Sequence, residues 1–310
     1  MLKYVGLRVL QAIPVLIGIT IASFLLIHII PGDPARIQLG PHATAAQVTA
    51  LRRQLGLERP LLDQYITFLG GAIHLDFGQS LAVHQPVGEV IRSKAGVTLL
   101  LLVYSLVLSL VFAGVFGILS AIKQDTAIDH AIRAVGMVLF VMPMFWIGLV
   151  LILVFGLKLG WFPTEGYEPG LGGVLHSLTL PALALSFAMA PLFVRSLRAS
   201  IIQTLGSPFV EAARARGFSE RRVMMRHTIR NASISTITLV GLTVSAMLSW
   251  TVLVENVFSL PGLGQQLVAA VSSRDFTMVQ GMVVVLASAV VIVNLLTDLT
   301  YAAIDPRVRL

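Results

Sequence analysis

His74, Asp76 and His84 come nearest to a metal-ligand set in this chain, two imidazoles and a carboxylate in one polar stretch. Such donors could bind a metal, but a lone pair of loop histidines is more often solvated surface, and no metal site is expected. No GxxxxGK[ST] run cradles phosphates, no HExxH or nucleophile elbow occurs, and there is no cysteine to form a disulfide or a thiolate. Ionisable residues within apolar stretches are few, with Glu255 near one end of a long run and Asp298 near an end of another. A proton- or sodium-coupled carrier usually needs buried carboxylates or broken half-helices at mid-membrane. What remains is an arginine-rich segment from Ser207 to Asn231, set between apolar stretches, whose residue types suit recognition more than catalysis.

Ser207 is a good N-cap and Pro208 a good first helical residue, so a helix is expected over Pro208, Phe209, Val210, Glu211, Ala212, Ala213, Arg214, Ala215 and Arg216. Gly217 can take the left-handed conformation that ends it. About nine residues span roughly 13 Å, too short to be stable alone in water, so a partner is expected to hold the helix. Ala212, Ala213 and Ala215 would let its backbone sit deep in a groove. Glu211 and the arginines, Arg221 and Arg222 among them, could fix register, with Phe209 and Val210 as apolar anchors. Ser219 should cap a second helix, Glu220 to Arg230. An interfacial helix on lipid head groups is the competing reading.

The elements that carry this segment belong in a membrane. The 310 residues are 56% hydrophobic and 12% charged, with mean hydropathy +0.88. Six stretches can each cross a hydrocarbon core, which takes about 20 residues: Val9 to Ile30, Val97 to Ile122, Ala134 to Leu157, Leu171 to Val194, Ala232 to Val254 and Met278 to Ile304. The first begins like a signal peptide but runs too long and ends in Pro31-Gly32-Asp33-Pro34, so it is expected to be retained. Lys and Arg fall mainly in segments that are inside if both termini are cytoplasmic. The expected fold is an all-α, polytopic helix bundle. The net charge of +7 is positive-inside bias facing membrane lipid, without an aromatic-interleaved groove for nucleic acid.

Residues 31–96 form an external segment. Within it Thr44 and Gln47 are spaced as a capping box, Val48, Leu51 and Leu55 share one face, and Gly56 is a stop. A second helix should run from Pro60 to about Leu69, ending at Gly70-Gly71. Pro143 should kink the third span, Pro181 and Pro191 the fourth. Gly156 and Gly160 form a GxxxG pair, a weak signal of helix contact. Pro261-Gly262 marks a turn after the fifth span.

Glu211-Ala212-Ala213-x-x-x-Gly217 resembles the EAA loop of bacterial ABC importer permeases. In order along the chain, Pro31-Gly32-Asp33-Pro34, Leu55-Gly56-Leu57-x-x-Pro60 with Gln64-Tyr65, Pro143-x-Phe145-Trp146-x-Gly148, Gly217-Phe218-Ser219-x-Arg221-Arg222-Val223 with Arg226-His227 and Arg230-Asn231, Glu255-x-Val257-Phe258-x-x-Pro261-Gly262-Leu263-Gly264 and Asp305-Pro306-Arg307 are similar to its dipeptide/oligopeptide branch. The resemblance implies the type I importer fold, residues 1–310 acting as one transmembrane domain in the bacterial inner membrane, with 207–231 as the cytoplasmic coupling segment. It implies a non-enzymatic permease for di- or oligopeptides, without a cofactor of its own. The partners it implies are a second homologous permease, two ATPase subunits that bind ATP and magnesium, and an external substrate-binding protein. Pro143, Phe145, Trp146, Glu255 and Phe258 become candidates for the pore or outer gate; Glu255 could instead fix the turn up to Gly264. Relatives that carry nickel, glutathione or haem keep the cargo open, and a self-contained secondary carrier is the alternative from another class. Two departures stand out: Ser235 replaces a usual proline, and Met144 replaces a usual small polar residue.

Overall fold

The structure, a computed structural model, describes residues 2–29, 34–40, 42–54, 56–80 and 82–304. Pro31-Gly32-Asp33, Leu55 and Asp305-Pro306-Arg307 lie outside the described residues, as do the side chains of Lys3 and His28. Long apolar runs must satisfy their backbone groups internally, which favours helices. These are α1 (Leu2–Ile29), α2 (Pro34–Leu39), α3 (Ala45–Gln54), α4 (Leu61–Ile73), α5 (Val87–Ile122), α6 (Ala127–Val141), α7 (Met144–Lys158), α8 (Leu171–Leu205), α9 (Pro208–Ala215), α10 (Glu220–Val257), α11 (Leu263–Ser272) and α12 (Phe276–Ile304). Among the described residues α1, α5, α8, α10 and α12 can each cross a membrane by length and composition, and α6 with α7 make a sixth span if that bent pair counts as one.

The third span is broken, not merely kinked. Met142 and Pro143 are both extended, with ψ 134° and 131°, and α6 and α7 diverge by 106°. A residue before proline is pushed out of the helical region, and proline itself donates no backbone bond. By contrast α8 runs through Pro181 and Pro191 without a break. Both prolines are buried, and the Pro191 ring lies beside Gly136 of α6.

Two compact units form, one from residues 1–98 with 261–296, the other from 99–260 with the chain from Thr297. In the first, Val87, Val90 and Ile91 of α5 pack with Leu263 and Ala270 of α11 and Met278 and Met282 of α12. Gly281 is required there, because a Cβ would run into Val87 and the Phe77 ring. Asp275 is buried ahead of α12; its Oδ1 accepts from Met278 N at 3.0 Å, and its Oδ2 accepts from Ser80 Oγ at 2.5 Å and Ala82 N at 3.2 Å. The capping box forms as expected, with Thr44 N donating to Gln47 Oε1 at 2.9 Å and Gln47 N to Thr44 Oγ1 at 3.3 Å, and Gly56 at φ +67° stops α3. Gly70-Gly71 does not stop the next helix. α4 continues to Ile73, and bare Gly71 lets the carbonyl of Asp76 fold back over it.

In the second unit α8 is central, with 72% of its apolar window buried. Ala182, Ala184, Ala188 and Ala190 let neighbours approach closely. Ser186 Oγ donates to the Ser105 carbonyl of α5 at 2.8 Å, and the Tyr104 and Thr179 hydroxyls meet at 3.0 Å. Gly156 and Gly160 serve the end of α7, not a helix pair: Thr164 packs where Gly156 would carry a Cβ, and Gly160 turns the chain at φ +64°.

Candidate functional site

Within 207–231, α9 ends at Ala215 and Gly217 takes φ +78°, turning the chain into α10. Ser207 is the N-cap residue, yet its hydroxyl donates backward to Thr204 O at 2.5 Å. The backbone does the capping, as Val210 N and Glu211 N reach Ser207 O at 3.0 and 3.3 Å. The second helix does not stop at Arg230; it runs on as α10, through a π-helical turn at Val223–Ile229 and past Ser235. Serine in place of proline keeps the backbone donor, and its Oγ bonds Ala232 O at 3.0 Å and meets Ser200 Oγ at 2.5 Å.

The expectation that α9 needs a partner to hold it is corrected. Val210 and Ala213 turn inward and pack with Val223 of α10, Phe218 flanking them. Val210 has no exposed surface, so it anchors α9 to its own chain and is not offered to a partner. Arg214 grips Glu220 with both fork nitrogens, at 2.8 and 3.2 Å, and the Glu220 carboxylate raises the guanidinium pKa above its ordinary value. Phe218 stacks on His227 with ring centroids 5.8 Å apart, and the Arg222 guanidinium lies 4.6 Å from the Phe218 centroid. Phe209, Glu211, Ala212, Ala215, Arg216 and Arg221 are left exposed, with Phe209 at 45%.

The other candidates divide. Pro143, Phe145 and Trp146 are exposed at the start of α7. Glu255 and Phe258 are buried, which excludes them from an exposed gate surface in this conformation. Phe258 and Val257 instead pack on Gly148, whose missing Cβ would lie 3.2 Å from each. The turn is fixed by the Glu255 backbone carbonyl, which accepts from Leu260 N at 2.9 Å. Met144 is buried, so this departure faces the interior. His74 Nδ1 lies 3.0 Å from Gly70 O, and no group of three metal-ligating side chains gathers among the described residues.

One constellation escaped the sequence. Asp129 at the start of α6 is fully buried, and Arg198 of α8 meets it with Nε at 2.8 Å and a terminal nitrogen at 2.6 Å. Ser120 Oγ donates to the same carboxylate at 2.5 Å and Asp125 N at 3.1 Å. The one available signal was a pair of acids, Asp125 and Asp129, in the short stretch between Lys123 and Arg133.

Two family models match, the N-terminal part of the binding-protein-dependent transport system membrane component over residues 1–110 and the inner membrane component itself over 113–310. A putative peptide permease of Brucella suis biovar 1 is 37% identical over all of this chain and 99% of its own length. An oligopeptide transport system permease of Bacillus subtilis is 37% identical with full coverage of both, and a glutathione transport system permease of Escherichia coli K12 is 37% identical over all of this chain and 99% of its own. Among solved structures, an amino acid ABC transporter aligns with TM-score 0.55 at 18% identity, covering 70% of this chain and 94% of its own. A methionine ABC transporter in an inward-facing conformation aligns with TM-score 0.57 at 15% identity, covering 70% and 96%. At such identity these two speak to the fold alone. The family matches and full-length relatives, together with a helical bundle of type I importer fold, establish that the chain belongs to the binding-protein-dependent transport system inner membrane components, as a multi-pass permease subunit of an ABC importer.

Proposed function

We propose that this permease forms half of a translocation pathway for short peptides and, in a complex with two ATPase subunits, docks onto an ATPase through α9. The observation that carries the docking role is the two-sided character of that helix. Its inner face is satisfied by Val223, while Phe209 stands exposed among Ala212, Ala215, Glu211 and Arg216. A solvent-facing aromatic ringed by small and charged residues is the composition of an interaction hot spot. ATP and magnesium belong to the partner subunits, since no phosphate-cradling run occurs in this sequence, and the chain itself is not an enzyme. Segment 207–231 and both termini face the cytoplasm, following the arginine bias. Closure of the ATPases drags α9, and the spans move between inward- and outward-open arrangements as one transmembrane domain. Substrate arrives on an external binding protein and crosses at the interface with a second homologous permease.

Peptide cargo is supported by the relatives named as peptide and oligopeptide permeases; the glutathione permease moves a tripeptide, within the same chemical class. The test is uptake into proteoliposomes. With both permeases, the ATPases, the binding protein and ATP, labelled peptide accumulates; this chain alone with an ion gradient accumulates none. Transport by the chain alone would establish the secondary carrier.

A further inference from the structure

We infer that Asp129 and Arg198 form a strut that passes movement of α9 to α5 and α6. The inference rests on the docking role proposed for α9. Only Gly206 and Ser207 separate α9 from the end of α8, so force applied to α9 enters the helices through the last turns of α8. Among the described residues, three kinds of contact tie those turns to their surroundings. Leu197 and Ile201 pack on Ala121 and Ala232, and the Ser200 and Ser235 hydroxyls meet at 2.5 Å. Apolar faces and a single hydroxyl pair can slide past one another as shear. The third connection is directional. Arg198 offers its planar fork to both Asp129 oxygens, a geometry that resists rotation as well as separation.

The far end of this connection grips two helices at once. Ser120 lies in the last turn of α5 and Asp129 in the first turn of α6, and the Ser120 hydroxyl and the Asp125 amide complete the carboxylate's hydrogen bonds. Asp129 has no exposed surface, and Arg198 is mostly enclosed. Arg133 Nε also lies 3.6 Å from Asp129 Oδ1, but its side chain is half-exposed. Separating Asp129 from Arg198 would leave the carboxylate with that solvent-screened partner and Arg198 enclosed without its acceptor, so the pair holds through a cycle and acts as a positioning element.

The experiment compares Asp129→Asn with the double variant Asp129→Asn/Arg198→Met in the reconstituted complex. Readouts are ATPase co-purification, melting temperature, ATP hydrolysis and uptake per ATP. Removing one partner lowers the melting temperature, and removing both restores it by abolishing the buried imbalance. If the pair is a strut, both variants still bind the ATPases and hydrolyse ATP. Uptake per ATP then falls by about tenfold in both, within the range of coupling between sites. Recovery of uptake together with melting temperature in the double variant would assign the pair to folding alone and overturn the inference. Normal coupling in both variants removes the strut and leaves the docking reading intact. A wild-type complex in which α9 contacts no ATPase removes both.

Discussion

Replacing Val210 by alanine separates what holds α9 from what α9 presents. Val210 is fully buried against Val223 and Ala213, and α9 is well short of the roughly 12–15 residues an isolated helix needs. Losing two methyl groups at about 0.8 kcal/mol each, with a further contribution from the void, gives about 1.5–2.5 kcal/mol. That loss falls on local opening of α9, because the cluster joins only α9, the turn at Phe218 and the start of α10. At tenfold per about 1.4 kcal/mol, amide exchange across α9 should accelerate by about 10- to 60-fold. The assay is hydrogen–deuterium exchange read by mass spectrometry on purified permease. Phe209→Ala is the control: its ring is exposed, so exchange should stay within about twofold of wild type while ATPase co-purification drops. Unchanged exchange in Val210→Ala, or equal acceleration in Phe209→Ala, refutes the assignment of inner and outer faces.

Gly217 sits at φ +78° with no atom within 4 Å of a built Cβ, so the cost of substitution there is backbone strain alone. Gly217→Val should therefore uncouple ATP hydrolysis from uptake, while Gly217→Asn, which tolerates that conformation, should retain most uptake; equal behaviour of the two contradicts this. Glu211→Lys should weaken ATPase co-purification, with a rise in α9 exchange of only about several-fold from placing a cation in the helix's first turn, since Glu211 is exposed. Gly148→Leu should overpack Phe258 and Val257 and destabilise the permease by about 1–3 kcal/mol, read as a lower melting temperature. Asp275→Ala should strand Ser80 and two backbone amides and cost about 2–3 kcal/mol in the same assay.

Local rules were legible in the sequence where one short stretch contains the whole cause. The Thr44–Gln47 box, the stops at Gly56 and Gly217 and the apolar length of the spans depend on neighbours a few residues away. What was not legible depends on distant packing. Val210 looked like a free anchor because the residue that buries it, Val223, lies beyond the Gly217 turn. Gly70-Gly71 looked like a stop for a different reason: the cause lies close by, in the Asp76 carbonyl folding back over bare Gly71, but it is a backbone contact that residue types do not announce. Pro143 announced a bend, but its 106° comes from two successive extended residues. Glu255 and Phe258 read as gate residues until Gly148 supplied the surface that buries Phe258. Asp129 and Arg198 are far apart in sequence, and no spacing rule joins them.

The docking role of α9 is tested most directly by proximity. The natural chain has no cysteine, so Ala212→Cys places a single thiol on the exposed side of α9. A short thiol-reactive cross-linker on that thiol, in native membranes that retain uptake, should capture an ATPase subunit in stoichiometric yield, and the same reagent on Phe145→Cys should not. Adducts with lipid alone, or no ATPase adduct while uptake is intact, would contradict the account.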